Sequence, residues 1–395
     1  MILRTPHYYK KFICIASECK DNCCVGGWQI DIDDETAEYY QNVTGEFGDR
    51  LRESIEYTDA YCFRLKDGQC PFLDDKGLCE VYKHLGEDKL GVVCAQFPRF
   101  SEYYGDIKET GIGLACEEAE RIIFTDTDAF SFDMKELDEE PVLDSEFDAE
   151  LAKSLFVYRD KVIALFDTES EGISLTDKLR ATLLSSSYIQ EMINNNSYEE
   201  ITQYVTSLNL QKLLDEVSSD GTGADFTLCE AVYRILCAYS GLETLNPAWP
   251  NVLDRLFSQL HEADEDDNIK ENTNIMYEEL SKEFDLYISI NNRGFEYNNL
   301  IKYYVFRYFM KAAYDHDILG KSILTIANWI VIRDMDISRW LDNGKTFTFE
   351  DRIDTVHIFS RQVEYSEDNL WELNEEFMFD DIFDTDSLNS LLEMM

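Results

Sequence analysis

The chain has 395 residues, 45% of them hydrophobic and 13% aromatic, which is enough for two cored domains and too apolar for global disorder. Its 80 Asp and Glu against 35 Lys and Arg leave a net charge of −45. That field repels phosphate backbones and anionic lipid, so no nucleic acid and no membrane surface is expected as a partner, whereas a positively charged, lysine-bearing protein suits it.

The opening residues, Met1-Ile2-Leu3-Arg4-Thr5-Pro6-His7, carry no basic patch leading into an apolar core and a cleavage site, so the chain reads as unexported and cytoplasmic. Its eleven cysteines would then sit in a reducing compartment, where metal binding or catalysis outranks disulfide formation. Nine of the eleven lie in the first 116 residues, and this asymmetry divides the chain. A cysteine-cluster metal-binding domain is expected over residues 1–125, an acidic linker over 126–150 and a helical domain over 151–395.

Within the first part, Trp28-Gln29-Ile30-Asp31-Ile32-Asp33 alternates like a strand, and Asp33-Asp34-Glu35 supplies caps for a helix through Tyr40. The acidic stretch holds Lys135 as its only basic residue, and Pro141. Beyond it, Leu151, Leu155, Tyr158, Val162 and Leu165 recur at helical spacing, as do Leu228, Val232, Ile235, Leu236 and Tyr239. The polar stretch 261–271 joins helices, and Leu300, Tyr304, Phe306, Tyr308 and Met310 mark another helix. The apolar run 323–332 is too short to span a bilayer and reads as a buried helix. The expected fold is mainly α, with a small irregular α+β cysteine-cluster domain followed by a helical domain.

The cysteines fall as Cys14-x4-Cys19-x3-Cys23-Cys24, then Cys62, then Cys70-x8-Cys79-x14-Cys94-x21-Cys116. Thiolates are soft donors suited to zinc and to iron–sulfur clusters, and one such site takes about four of them. Eight or nine exceed one site's need, so either two sites exist or one site is accompanied by buried structural thiols. The vicinal Cys23-Cys24 pair argues for the second, because adjacent side chains rarely both reach one ion. Cys62, Cys229 and Cys237 read as small buried hydrophobes. The metal candidates are therefore Cys14, Cys19, Cys23, Cys24, Cys70, Cys79, Cys94 and Cys116. His84 is the only histidine in the cluster and no paired-histidine spacing exists, so an all-sulfur site leads. Spacing excludes the C-x3-C-x2-C triplet of radical enzymes and the ferredoxin run.

Phe12-Ile13-Cys14, Cys19-Lys20-Asp21-Asn22-Cys23-Cys24 and Gly27-Trp28-Gln29-Ile30-Asp31-Ile32 resemble the opening of the flagellin lysine-N-methylase (FliB-like) family. Cys70-Pro71-Phe72-Leu73, Gly77-Leu78-Cys79 with Val81-Tyr82, and Cys94-Ala95-Gln96-Phe97-Pro98-Arg99 also resemble a wider group of zinc- or iron-chelating cysteine-cluster proteins. Leu114-Ala115-Cys116-Glu117-Glu118-Ala119-Glu120-Arg121 resembles the family's Cys-Pro-Glu-Ala-Ala-Arg element, with Glu117 where proline is usual. Asn298-Asn299-Leu300, Tyr304-Val305-Phe306-Arg307-Tyr308-Phe309 and Phe359-Ser360-Arg361 resemble its helical part.

The resemblance implies transfer of methyl groups from S-adenosylmethionine to lysine side chains of flagellin. It also implies a cysteine-held iron–sulfur cluster, of the four-iron type, with zinc as the alternative. A lysine amine must lose its proton, against a usual pKa of about 10.4, before it attacks the sulfonium methyl. Tyr303, Tyr304, Phe306, Tyr308 and Phe309 are candidates to line an apolar channel for that step, or else ordinary core. The nearest glycine-rich loop, Asp220-Gly221-Thr222-Gly223-Ala224-Asp225, follows no apolar strand and reads as a surface turn, and Gly111-Ile112-Gly113 reads as part of the metal domain. Catalytic residues and the S-adenosylmethionine site are thus unassigned. Two competing readings stay open: a non-enzymatic zinc- or iron-chelating protein, and a redox or radical enzyme.

Overall fold

The computed structural model describes every residue except 27, 143, 169–172, 211, 214–223 and 265–267. Gly27 and four residues of the glycine-rich candidate, 220–223, therefore lie outside the described residues. What is described is mainly helical, with two small sheets confined to the first 136 residues.

The sheets belong to different hydrophobic cores. The smaller has the order β2-β4-β3, from Asp31–Ile32 (β2), Ile55–Tyr57 (β3) and Tyr61–Phe63 (β4), all antiparallel. The expected alternation at 28–33 shortens to the two residues of β2, and the helix Asp34–Asn42 follows at once, with the Asp33 side chain capping Thr36 N. This sheet and that helix enclose a core of Ile30, Ile32, Tyr40, Leu51, Phe63, Phe72 and Val81, with Cys70 buried in it and Cys24 and Cys79 packed against it.

The larger sheet has the order β5-β6-β1-β7. Ile2–Pro6 (β1) runs parallel to Ile107–Ile112 (β6) and antiparallel to Phe132–Glu136 (β7), and Arg99–Tyr104 (β5) forms a hairpin with β6. The hairpin turns through Gly105, whose φ of +67° suits a residue without a Cβ. Strand β7 lies inside the acidic stretch. This sheet packs on the helices: the Arg159 guanidinium, fully buried, makes two bonds of 2.6 and 2.8 Å to the Glu109 carboxylate of β6. A pair this dry resists removal of either partner, because the survivor is left as a buried, uncompensated charge.

The helical body forms where the spacing predicted it, in Ala149–Asp167, Leu228–Ser240 and Gly294–Tyr308. At its centre lies the helix Ile318–Asp342, capped by the Asp317 side chain on Gly320 N and buried along most of its length. It contains the apolar run 323–332, and among the described residues no helix is long and apolar enough to cross a membrane. Burial on all sides forces its charged residues to pair. Asp334 accepts from Tyr277 at 2.6 Å and meets His261 at 2.5 Å, while Asp336 pairs with Arg352 and accepts from Tyr297 at 2.7 Å. Tyr303, Tyr304, Phe306, Tyr308 and Phe309 are all buried in this half.

Candidate metal centre

The cysteine-bearing segments have little regular structure, and hydrogen bonds from neighbouring elements place them. Cys79 stands before the helix Glu80–Leu85, its sulfur accepting Tyr82 N at 3.4 Å. Cys70 N donates to Cys24 O at 2.8 Å, and Glu80 N donates to Phe72 O at 2.8 Å, which draws Cys24, Cys70 and Cys79 together over the small core. Cys94 lies on the exposed helix Val92–Gln96. Val92 N donates to the Asp33 carboxylate at 3.0 Å, anchoring that helix beside β2.

The other cysteines gather elsewhere. Cys116 precedes the helix Glu117–Phe124 and packs on the large core. Glu117, buried at the start of this helix, accepts Asp21 N at 2.8 Å and so pulls in the loop that carries Cys14, Cys19 and Cys23. The Asp21 carboxylate in turn pairs with Arg361 and lies 3.3 Å from His357 Nε2, both on the helix Phe349–Val363. Lys20 reaches Glu350 at 3.2 Å and Asp354 at 3.3 Å on the same helix. The cysteine loop is thereby clamped between two helices of the large body.

Proximity shows in the acidity of the thiols. Burial, then the charge of Cys116, Glu117, Cys14 and Cys23, pushes Cys19 up to about 12. Cys116 rises to about 12, again first by burial, which outweighs the backbone N–H groups of Ala119 and Glu118. For Cys24 a hydrogen bond with Cys23 favours the thiolate, but bonding to Cys70 and burial together lift it to about 12. Crowding by the surrounding protein, then Cys23 and Cys79, lifts Cys94 to about 12, although the residue itself reaches solvent. A thiol that is costly to ionise alone is readily ionised by a cation among several of them, because the metal's own charge dominates the local field.

Cys62 is buried in β4, opposite Asp31 and Glu56, as expected of a structural thiol. Cys229 is buried as well, 3.2 Å from His261 Nδ1. Cys237 differs: it is exposed on the helix Leu228–Ser240, because eight residues on from Cys229 the helix has turned far enough to leave the apolar face.

Where the loop meets the helical body, side chains from three distant segments converge that spacing does not reveal. Trp28 stacks on Tyr365 with ring centroids 5.4 Å apart, and Phe97 lies 5.7 Å from each. The Arg361 guanidinium also lies over the Trp28 ring, 4.6 Å from its centroid. Glu364 is buried and accepts from Tyr303 at 2.8 Å and Tyr308 at 3.1 Å through one oxygen, while its other oxygen has no hydrogen-bond partner. Glu120 is fully buried and neither of its oxygens has one, the nearest base being His357 Nδ1 at 3.7 Å. Burial, then the neighbouring Glu117, holds it well above the usual carboxylate range. In the sequence, Trp28, Phe97, Glu120, Tyr308 and Arg361 each lie in a segment that carries the family resemblance, but nothing there shows that these segments meet.

Among the described residues, the group of His, Cys, Asp and Glu whose ligand atoms all lie within 4.8 Å of one another is His7, Asp126 and Asp128. Lys11 already answers its charge, 2.9 Å from Asp126 and 3.9 Å from Asp128. No three of the described cysteine sulfurs are that close.

A family model of the FliB lysine N-methylase C-terminal domain matches residues 165–391. The lysine-N-methylase of Salmonella typhimurium is 28% identical over 169 residues, 41% of this chain and 40% of that protein. Its counterpart in Salmonella choleraesuis is 28% identical over the same length and coverage. The flagellar biosynthetic protein FliU of Salmonella muenchen is 30% identical over 138 residues, 33% of this chain and 81% of that protein. The matched stretch thus spans about 40% of the length of the lysine-N-methylases. No solved structure matches.

Proposed function

Because this chain belongs to the family of the FliB lysine N-methylase C-terminal domain, we propose that it methylates lysine side chains of a protein, flagellin foremost, using S-adenosylmethionine. The observation that carries the reading is the docking of the matched helical half on the eight-cysteine segment, with buried acids and exposed aromatic surface at the seam. The strongly acidic chain draws a lysine-bearing partner toward it. The Trp28, Phe97 and Tyr365 cluster already holds the Arg361 guanidinium, and the outer face of Tyr365, which is exposed, is the one that suits a further cation. Glu364 offers a carboxylate oxygen without a hydrogen-bond partner to the cationic amine. S-adenosylmethionine, when bound, would supply the methyl group; the lysine ammonium must first give a proton to Glu364 or water, and the freed nitrogen could then form its bond to the methyl carbon as the carbon–sulfur bond breaks toward sulfur.

The all-thiolate donor set suits both an iron–sulfur cluster and zinc; the iron–sulfur cluster is the reading proposed here, with zinc as the alternative. When bound, such a cluster supplies a cross-link between the loops carrying the thiols, in a protein expected to work in the cytoplasm. The test is anaerobically purified protein, flagellin and S-adenosylmethionine labelled in the methyl group. Label on flagellin lysine is expected, with a 10-fold or greater loss of kcat/KM in Glu364→Gln. No transfer, together with no heat of S-adenosylmethionine binding in calorimetry, leaves the non-enzymatic chelator as the better account.

A further inference from the structure

A surface helix needs one apolar stripe to hold it to the body, and the helix Glu367–Phe379 has two. Asn369, Leu373 and Phe377, one turn apart, are its buried face. The Asn369 amide fixes that face by donating to Glu243 O at 3.0 Å and to Gln362 O at 2.9 Å, and Arg234 pairs with Asp380 and Asp381 just beyond the last turn. On the opposite side Trp371, Met378 and Phe379 are 65%, 69% and 79% exposed, with Met378 two turns along from Trp371. Glu375 lies between them, and Glu367, Asp368 and Glu372 flank them. No Lys, Arg or His occurs from Gln362 to Met395, and none of these four acids forms an ion pair among the described residues. Leu286 and Ile290 make another exposed stripe, on the helix Glu271–Ile290, but acids of that helix are already paired, Glu278 with Lys282 and Glu283 with Lys345.

We propose that the face of Trp371, Met378 and Phe379 docks a basic amphipathic segment of the lysine-bearing protein partner, one in which apolar residues and Lys or Arg alternate turn by turn. The acid rim selects this occupant. A second copy of the chain, with its own net charge of −45, would set acids against acids, and an anionic lipid surface meets the same repulsion. A basic segment instead brings cations to the unpaired carboxylates while its apolar residues cover the Trp, Met and Phe side chains. Met378 adapts its shape to what it meets. Because the helix is fixed before the partner arrives, little ordering is lost on binding. Its place in the fold agrees: Ser366 caps it, and Tyr365, stacked on Trp28 at the seam, immediately precedes that cap. A segment laid along the helix leads to the seam and holds the partner there while one of its lysines enters. The inference rests on the lysine-bearing partner of the reading above and names where that partner binds.

The test uses the full-length protein and a labelled, tryptophan-free helical peptide of leucine and lysine, about 18 residues or five turns long. Binding is expected at low salt, weaker as salt rises, with a blue shift of Trp371 emission, identified as the part lost in Trp371→Phe. The variant Trp371→Ala/Met378→Ala/Phe379→Ala, changed only at exposed positions, should keep its circular dichroism and bind at least about 10-fold more weakly. Glu367→Gln/Asp368→Asn/Glu372→Gln/Glu375→Gln should lose most of the salt dependence. In methyl transfer, the alanine variant should raise KM for the protein substrate about 10-fold, with kcat and transfer to a short lysine peptide unchanged. Peptide binding as tight in the alanine variant as in the wild type would mean that charge alone attracts it, and overturns the proposal. So does Trp371 emission that shifts with protein concentration alone, the mark of a second copy, or with phosphatidylcholine vesicles and not with the peptide, the mark of a membrane. Peptide binding that meets these expectations without any methyl transfer leaves the docking face standing and sinks the methylation reading instead.

Discussion

The two cores reach stability by different routes. The large one joins side chains from Tyr8 to Leu392, including the whole apolar run of the central helix, and draws on helix, sheet and buried ion pairs together. The small one has eight buried apolar residues besides Cys70, two three-residue strands and a two-residue strand. Those few buried side chains, with the partly buried ones packed against them, serve the whole of residues 30–90. The contrast gives the crowded thiols a purpose under the proposed reading: a metal held by them would supply the cross-links that the helical body obtains from packing.

Removing the metal should therefore separate the two regions, and this is the largest expected effect. Structural metal sites contribute on the order of 10 kcal/mol to folding of the segment that carries them. After chelation, amide exchange in residues 30–90 should rise by orders of magnitude while Ile318–Asp342 stays protected. Equal loss of protection in both would show one cooperative unit and erase the comparison. The converse change is Arg352→Ala in the large core, which leaves Asp336 a buried acid without its cation, while Glu296 keeps Arg293. Breaking such a pair costs about 3–5 kcal/mol. The denaturant midpoint of the helical body should drop accordingly, with bound iron unchanged; a shift below about 1 kcal/mol would mean that the acid finds another partner.

The same contrast explains what could be read from the sequence. Helices whose apolar residues recur every three or four positions, such as Leu151 to Leu165, announce themselves because one face must be buried. The cap at Asp33 was visible for a similarly local reason. The eight thiols were legible as a group, through composition, but not the contact that fastens their loop, a bond between Asp21 and Glu117 almost a hundred residues away. Cys237 was misplaced because equal spacing on a helix was taken for an equal face. The junction of Trp28, Glu120, His357, Arg361 and Tyr365 has no local pattern at all. Neither has the parallel pairing of Ile2 with Ile107. Both arise from topology, which periodicity does not encode.

The smallest expected effect lies at the seam between the two regions, and its sign follows from the acids there. Hydrogen bonding from Arg121, opposed by some burial and aided by Lys20, lowers the Glu350 carboxyl from 4.5 to about 2. Asp21 is also lowered: burial opposes ionisation, but His357 and Arg361 outweigh it. A depressed carboxyl stabilises the folded form fully above its unfolded pKa, and the benefit disappears as pH falls through the folded value. For Glu350 the loss therefore runs from about pH 4.5 down to about pH 2. Both acids are partly open to solvent, so screening keeps the contribution of each near or below about 1 kcal/mol. The stacking of Trp28 on Tyr365 crosses the seam and reports on it. Acidification should change Trp28 fluorescence, identified as the difference lost in Trp28→Phe, and Glu350→Gln should remove the part of that change between pH 4.5 and 2. An unaltered profile in Glu350→Gln would mean that the seam is held by its buried contacts alone, and that the two regions are bound more firmly than their separate cores suggest.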